Sequence, residues 1–366
     1  LLIQGGTITN AAAGSLTGGS DAVAGVAVQF SATGGTFTNY GSATGTGAGA
    51  VRVNTPGAAT TINLHAGSTT GAILLNSGND ILAIYNGRGT DSLATVDGTS
   101  GITLQAAGTL AAASFGAINM GGGTNTLTLR GTGDGTAANG AAGTMATGSV
   151  TGLSNLAKLD SGTWTLTGAG NYAGTTTVSG GTLRVLNTGN ALGNGTVSIA
   201  TGATLNFDNQ TGGVLAIKGD IFTGTGRILF TGNTGSITAL GNGGNGTVHI
   251  SLSQGGLIDV QSGTVDGSSY VQGFWTDNMG SLNIASGAHF DTVEGLVRVD
   301  ALTGAGILSG GYGGTVPITL GVAGGTGSFS GTIRNGAGVL ALTKVGAGTQ
   351  TLTGTNTYTG QTSIEA

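Results

Sequence analysis

The sequence predicts an all-β protein, folded as a single elongated parallel β-solenoid in which the short strands of successive turns stack on one another. Three observations support this fold class. Apolar and polar residues alternate along short segments, as in strands that bury one face. Glycine pairs and Asn-Gly or Thr-Gly steps separate the segments and mark tight corners. Similar units recur along the whole chain, which favours a solenoid over an antiparallel sandwich.

The alternation is clearest between residues 163 and 207. In the segment 163–167, Trp164 and Leu166 occupy one face and three threonines occupy the other. A shift of one residue would turn every side chain to the opposite face, so the parity makes a definite prediction about the core. The residues that it directs inward are Leu166, Val178, Leu183, Val185, Val197, Ile199, Leu205 and Phe207.

The composition excludes several other classes of protein. The chain has 78 glycines but only 2 prolines, and glycine does not occupy every third position as collagen requires. Apolar residues make up 38% of the chain, which is enough for a core when they are placed regularly, so we predict folded structure rather than disorder. The short alanine runs lie between glycines and predict no helix.

Charged residues make up only 7% of the sequence and are isolated from one another. Lysine occurs only at Lys158, Lys218 and Lys344, so no basic run could follow a nucleic-acid backbone or a membrane surface. We therefore expect no nucleic-acid partner. Cysteine is absent, so the chain has no disulfide and no thiolate ligand.

An internal repeat is explicit in the second half of the sequence. Residues 158–178 return as residues 344–364, with ten of the 21 positions identical. The string at 352–362, Leu-Thr-Gly-Thr-Asn-Thr-Tyr-Thr-Gly-Gln-Thr, resembles the autotransporter-associated β-strand repeat, also called the passenger-associated transport repeat. The first copy continues through residues 179–197 in a way that is similar to that family. Residues 1–155 are similar to it only in style.

The resemblance implies a right-handed parallel β-helix displayed outside the cell, on the surface of a Gram-negative bacterium. It also implies secretion through a C-terminal barrel outside this sequence, which would be its only contact with the membrane, and a role for the repeat in folding during secretion. Four segments follow: residues 1–155 as solenoid rungs of weak repeat character, 156–214 as repeat copy 1, 215–339 as rungs with an aromatic-rich insertion near 270–279, and 340–366 as a truncated copy 2.

The two copies differ at one inward position, where Gln350 replaces Trp164. A buried amide without a hydrogen-bond partner costs about 1–3 kcal/mol, so Gln and a deeply buried Trp are poor substitutes for each other. We therefore expect this position to lie near a corner, half covered by neighbouring residues.

Catalysis on a β-solenoid would require paired carboxylates, as in glycosidases, or a cation held by several acidic residues. The closest charged group consists of Asp291, Glu294, Arg298 and Asp300. Strand parity predicts that Glu294, Arg298 and Asp300 share an outer face, where they would form a solvated charged edge. We therefore expect no catalytic residue here.

Hydrolysis by a Ser, His and Asp arrangement is also not indicated. His65, His249 and His289 lie in ordinary strand-like segments, and no Gly-x-Ser-x-Gly motif surrounds a serine. Residues 78–82 and 89–93 resemble calcium-binding turns, but they stand 11 residues apart instead of in the tandem nonapeptide register. We expect no metal and no cofactor.

The segment 270–279 is the most unusual in composition, because three aromatic residues fall within six positions of an aromatic-poor chain. Tyr270, Phe274 and Trp275 form a candidate partner-contact loop, since exposed aromatic side chains carry binding energy. The alternative, which we favour, is a corner plug that covers a widened rung with apolar area.

These features together favour a structural passenger stalk that mediates adhesion or biofilm-type contacts, with surface polysaccharide or host-cell receptors as partners. Two alternatives stay open: a self-assembling extracellular filament or sheath subunit, and a carbohydrate-active β-helix enzyme or polysaccharide-binding module. We expect both ends of the chain to be open solenoid ends that stack on further rungs or on other copies of the protein, because uncapped rungs present unpaired backbone groups.

Overall fold

The structure is a computed structural model, and its described residues form strands β1 to β42 and no helix. Two compact units divide the chain, Leu1–Thr175 and Thr176–Ala366. The described residues are 2–19, 25–31, 34–44, 51–53, 60–64, 69–70, 73–74, 81–84, 96–97, 103–107, 118–119, 126–130, 143–145, 150–151, 153–166, 169–170, 172–217, 219–241, 247–267 and 273–365.

The first unit contains three parallel sheets and one further strand pair. Sheet 1a consists of β1 (Leu2–Ile3), β4 (Val28–Phe30), β7 (Val51–Val53), β10 (Ile73–Leu74), β12 (Val96–Asp97), β14 (Ile118–Asn119) and β17 (Val150–Thr151). Sheet 1b consists of β2 (Gly6–Asn10), β5 (Gly35–Asn39), β8 (Thr61–Leu64), β11 (Ile81–Ile84), β13 (Thr103–Ala107), β15 (Thr126–Arg130) and β18 (Asn155–Lys158). Sheet 1c consists of β3 (Ser15–Thr17), β6 (Ser42–Thr44) and β9 (Thr69–Thr70), and the pair consists of β16 (Gly143–Met145) and β19 (Thr163–Leu166).

The second unit contains four parallel sheets. Sheet 2a consists of β20 (Thr176–Val178), β22 (Thr196–Ile199), β25 (Ile221–Gly224), β28 (Val248–Leu252) and β31 (Gly273–Phe274). Sheet 2b consists of β21 (Thr182–Leu186), β23 (Thr204–Asn209), β26 (Arg227–Gly232), β29 (Leu257–Val260), β32 (Ser281–Ile284), β35 (Leu302–Gly304), β38 (Gly327–Phe329) and β41 (Gln350–Leu352). Sheet 2c consists of β24 (Val214–Ile217), β27 (Ile237–Leu240), β30 (Thr264–Asp266), β33 (His289–Asp291), β36 (Ile307–Gly310) and β39 (Thr332–Asn335). Sheet 2d consists of β34 (Arg298–Val299), β37 (Thr315–Leu320), β40 (Val339–Lys344) and β42 (Thr362–Ile364).

Each sheet is built from equivalent strands of successive turns, which is the arrangement of a solenoid. In sheet 2b the partners run from Leu183 to Leu205, Ile228, Ile258, Leu282 and Leu302, so that one turn takes 20 to 30 residues. Parallel pairing in register places like residues on top of one another and keeps one face of every strand inside. The prediction of an all-β, parallel β-solenoid is confirmed.

The core follows the parity of the sequence. All eight residues that the alternation directs inward, from Leu166 to Phe207, are at most 1% exposed. Phe207 stacks on Phe230 of the next turn with ring centroids 5.7 Å apart, and it meets the edge of Phe222 at 5.8 Å. Burial of a large aliphatic or aromatic side chain contributes about 1.5–3 kcal/mol, so these stacks supply much of the stability of a turn.

One type of corner recurs on two different sheets. Gly224 and Gly304 adopt φ angles of +100° and +103°, which glycine reaches without a Cβ penalty. A Cβ atom on Gly224 would lie 2.1 Å from the carbonyl oxygen of Ile199, and one on Gly304 would lie 2.0 Å from that of Ile284. Each of these carbonyls accepts hydrogen bonds from the two backbone N–H groups that follow the glycine. Glycine is therefore required at both corners by backbone conformation and by space.

The expectation for the position of Trp164 is wrong. Trp164 is only 1% exposed, so it is a core residue and not a half-covered corner residue. Gln350 is partly exposed and solves the amide problem with hydrogen bonds, because its Nε2 donates to the carbonyl of Leu302 and its Oε1 accepts from the N–H of Leu302. The two side chains differ because Gln350 finds backbone partners that an indole cannot use twice.

Candidate contact site

An open cleft of about 270 Å³ lies on sheet 2a, where β28 and β31 pair. The pairing sets His249 beside Phe274. The two rings stack with centroids 5.0 Å apart and planes inclined by 19°, and 40% of Phe274 stays exposed. The residues that line the cleft are His249, Ile250, Ser251, Phe274, Thr276 and Asp277.

The three aromatic residues that the sequence singled out have different positions. Tyr270 lies outside the described residues. Trp275 is 1% exposed, donates from Nε1 to the carbonyl of Gly267 at 2.8 Å, and meets the edge of Phe290 at 5.8 Å. Trp275 is therefore part of the core and has no surface to offer a partner. Contact with a partner stays a prediction for Phe274.

An exposed apolar strip leads into the cleft along sheet 2a. Ile221 pairs with His249, and His249 pairs with Phe274, so these three side chains follow one another over three successive turns. Ile221 and Phe274 are both 40% exposed. Sequence reasoning missed this strip, although the signal was present as apolar residues at positions where the parity demands a polar side chain.

The charged group at 291–300 is not a common outer edge. Asp300 is only 7% exposed, and its Oδ1 accepts hydrogen bonds from the N–H groups of Ala323 and Gly325 at 2.8 and 2.7 Å. The prediction of a shared outer face is wrong for this residue, because strand β34 ends at Val299 and parity does not extend past a strand end. Asp300 ties a corner of the next turn. Glu294 is half-buried and Arg298 is exposed.

A His, Ser and Asp cluster does occur on sheet 2c, assembled from neighbouring turns. The Ser309 hydroxyl donates to Oδ2 of Asp291 and lies 2.7 Å from Nε2 of His289. The other oxygen of Asp291 accepts from the N–H of Val293, a β-branched residue at a φ of +52°. Catalysis of the triad type needs a serine that donates to histidine and reaches the substrate, whereas Ser309 donates to Asp291 and is 1% exposed. The cluster holds the strained turn at Val293.

The electrostatics of this cluster reflect its partial burial. Asp266 pairs with Asp291 across one turn. Burial, and then the neighbouring charge of Asp291, raise the pKa of Asp266 to about 6. Burial lowers the pKa of His289, an effect that Asp291 opposes and the charge of Arg334 reinforces. Sequence reasoning missed the cluster, because its members come together only through the register of successive turns.

A second charged network lies on the outer face of sheet 2b. Two guanidinium nitrogens of Arg184 donate to Oδ2 of Asp208, and the amide of Gln210 donates to Oδ1. Burial alone would raise the pKa of Asp208, but hydrogen bonds from Gln210, Arg184 and Thr231, with the positive charge of Arg184, outweigh it and hold this pKa below its usual value. The carboxylate is 7% exposed, so it depends on these donors.

Arg184→Ala should therefore lower the free energy of unfolding by about 1–2 kcal/mol, because the buried carboxylate of Asp208 loses its charged partner. Arg298→Ala is the matched control. Its side chain is exposed, and this substitution should change the free energy by about 0.5 kcal/mol or less. Urea unfolding followed by circular dichroism measures both variants. Equal effects of the two substitutions would show that the Asp208 network contributes nothing of its own.

The described residues contain no group of three or more His, Cys, Asp or Glu side chains that could hold a metal ion. The two calcium-like segments, 78–82 and 89–93, lie almost entirely outside the described residues, as does His65. His249 and His289 lie in strands, β28 and β33, as the sequence predicts.

The two repeat copies share one turn that a lysine holds. Nζ of Lys158 donates to the carbonyls of the two residues that follow it at 2.5 and 2.9 Å, and Nζ of Lys344 does the same at 2.6 and 2.9 Å. The second residue of the turn is left-handed in both copies, Asp160 at a φ of +58° and Gly346 at +66°. Burial lowers the pKa of Lys158 to about 8, against the opposing charge of Asp160. The lysine is thus a structural part of the repeat.

Comparison with known proteins identifies the same two segments. A family model described as the passenger-associated transport repeat matches residues 156–185 and 342–366. Comparisons with the curated proteins and with the solved structures give no match. Among the described residues, none belongs to a helix that is long and apolar enough to span a bilayer. The chain is thus a parallel β-solenoid that carries two passenger-associated transport repeats, which is consistent with an autotransporter passenger domain.

Proposed function

We propose that this chain is the structural stalk of an autotransporter passenger, displayed on the surface of a Gram-negative bacterium, where it mediates adhesion. The observation that carries the proposal is the presence of two passenger-associated transport repeats inside a parallel solenoid. Stacked turns give a scaffold whose outer face can vary while the core is kept. Contact with other surfaces then falls to exposed side chains such as Ile221 and Phe274.

Surface display tests the first half of this proposal. The chain is placed between a signal sequence and the barrel of an established autotransporter and is produced in a Gram-negative host. An antibody raised against the purified chain should label intact cells, and protease added outside should remove the label. Cells that carry the barrel alone are the control. A chain that is made and folded but stays inaccessible on intact cells would contradict the assignment as a passenger.

Adhesion is measured on the same cells. Cells that display the chain should bind to one another or to coated surfaces in larger numbers than cells that display only the barrel. Equal binding by the two strains, with the chain accessible to antibody, would leave the passenger assignment standing and refute the adhesive role.

A further inference from the structure

We propose that the cleft at His249, Phe274 and Asp277 is a binding site for a neutral polysaccharide. The proposal rests on the adhesive function proposed above and names the ligand class and the site. A polysaccharide combines apolar C–H faces with a high density of hydroxyl groups, so its recognition requires a flat aromatic surface beside hydrogen-bonding groups. Both are present here.

The aromatic surface is rigid and open. Phe274 belongs to β31, which pairs with β28, so its backbone is held by the sheet. The His249 ring supports the Phe274 ring at 5.0 Å with nearly parallel planes, and Phe274 is still 40% exposed. A ring that is fixed before binding loses little conformational entropy when a ligand stacks on it. Covering its exposed area removes apolar surface from water, which favours binding by about 25 cal/mol per Å².

Hydrogen-bonding groups surround this ring. Thr276 and Asp277 are exposed at the cleft, and Ser251 is half-buried beside them. Among the described residues, none is a hydrogen-bond partner of the Asp277 carboxylate or of the two hydroxyls. A carboxylate accepts two hydrogen bonds from neighbouring hydroxyl groups, and a hydroxyl can donate or accept. The cleft therefore offers donors and acceptors that a sugar can use.

Charge and size narrow the choice of ligand. The lining contains one carboxylate and no lysine or arginine, so it repels acidic polysaccharides and phosphate backbones. Its volume of about 270 Å³ is below the roughly 300–1,000 Å³ of pockets that enclose a small molecule, and it is open to solvent. Such a cleft suits a short section of a longer chain. Weak binding at one site becomes effective when many copies meet one polysaccharide.

Affinity electrophoresis tests the proposal with the purified chain. Native gels contain dextran, glycogen, a galactomannan or a soluble β-glucan as neutral probes, and alginate as the acidic probe. At least one neutral probe should retard the chain, and alginate should not. Phe274→Ala should weaken the association constant about tenfold or more, and Asp277→Asn should weaken it several-fold. No retardation by any neutral probe, or retardation only by alginate, overturns the proposal.

Tyr312→Ala is the matched control, because Tyr312 is 64% exposed and does not line the cleft. It should bind as the unchanged chain does, and all three variants should keep the same melting temperature, which separates loss of binding from loss of fold. A Phe274→Ala variant that is folded and binds normally overturns the proposal. An equal loss of binding in Tyr312→Ala does so too, because exposed aromatic area would then be unspecific.

Displayed on cells, the same variants separate this inference from the adhesive function. Periodate treatment of the target surface, which destroys sugar diols, should abolish adhesion that depends on Phe274, and protease treatment should not. The reverse result overturns the proposal in favour of a protein partner. If Phe274→Ala adheres normally, the adhesive function stands and the glycan site fails. If the purified chain binds the polysaccharide but displayed cells do not adhere, the site stands and the adhesive function fails.

Discussion

Leu166→Ala should lower the free energy of unfolding by about 2–5 kcal/mol, whereas Leu352→Ala should lower it by about 1 kcal/mol or less. The two leucines occupy the same position of the two repeat copies, so the chemistry of the substitution is identical. Leu166 is 0% exposed, and its loss leaves a cavity in a packed core. Leu352 is half-buried, and water can occupy the space that its side chain leaves.

Urea unfolding followed by circular dichroism measures both variants against the unchanged chain. The same comparison extends to Val178 and Ile364, which are also equivalent in the repeats but are 0% and 83% exposed. Val178→Ala should be clearly destabilising, and Ile364→Ala should be nearly neutral. Equal losses in the two copies would mean that burial does not set the energetics of the repeat.

Burial inside the strands could be predicted from the sequence, because a strand has a period of two and the parity assigns each side chain to a face. Val197 and Phe207 were predicted in this way, and they are buried. Corners have no such period. Asp300 follows a strand of two residues and turns inward to hold backbone N–H groups, and no pattern in the sequence distinguishes it from an exposed acidic residue.

The candidate site could be predicted only in part. Composition pointed to the segment near Phe274, but it could not tell which ring is exposed, because Trp275 is the next residue and faces the core. The cluster of His289, Asp291 and Ser309 depends on which residues of successive turns become neighbours. Turns of this solenoid take 20 to 30 residues, so a variable turn length hides these pairings from any fixed spacing rule.

Asp220→Asn should make the protein more stable at pH 8 and leave its stability at pH 4 almost unchanged. Asp220 is 0% exposed, and among the described residues neither carboxylate oxygen has a hydrogen-bond partner. Burial raises the pKa of Asp220 to about 8. In the unfolded chain this carboxyl ionises near its model value of 3.8, so the folded state binds a proton that the unfolded state has released. Stability from this group is complete below pH 3.8 and is lost as the pH rises to about 8.

The size of the effect follows from the shift, since one pH unit corresponds to about 1.4 kcal/mol. Over this window the gain at pH 8 is on the order of a few kcal/mol. Asp266, with its pKa raised to about 6, acts in the same direction between pH 3.8 and 6, so the unchanged chain should itself become less stable on moving from pH 4 to 8. Asp208, whose pKa is lowered, acts oppositely at more acidic pH, which makes the comparison between variants more informative than a single profile.

Melting temperatures of the unchanged chain and of Asp220→Asn, measured by calorimetry from pH 4 to 8, decide the matter. The two curves should meet near pH 4 and diverge steadily above it, with the variant melting higher. Asp277→Asn is the control, because it removes an exposed carboxylate and should leave the slope with pH as it is. A constant difference between Asp220→Asn and the unchanged chain at every pH would refute the proton linkage, since a packing or volume effect of the substitution does not depend on pH.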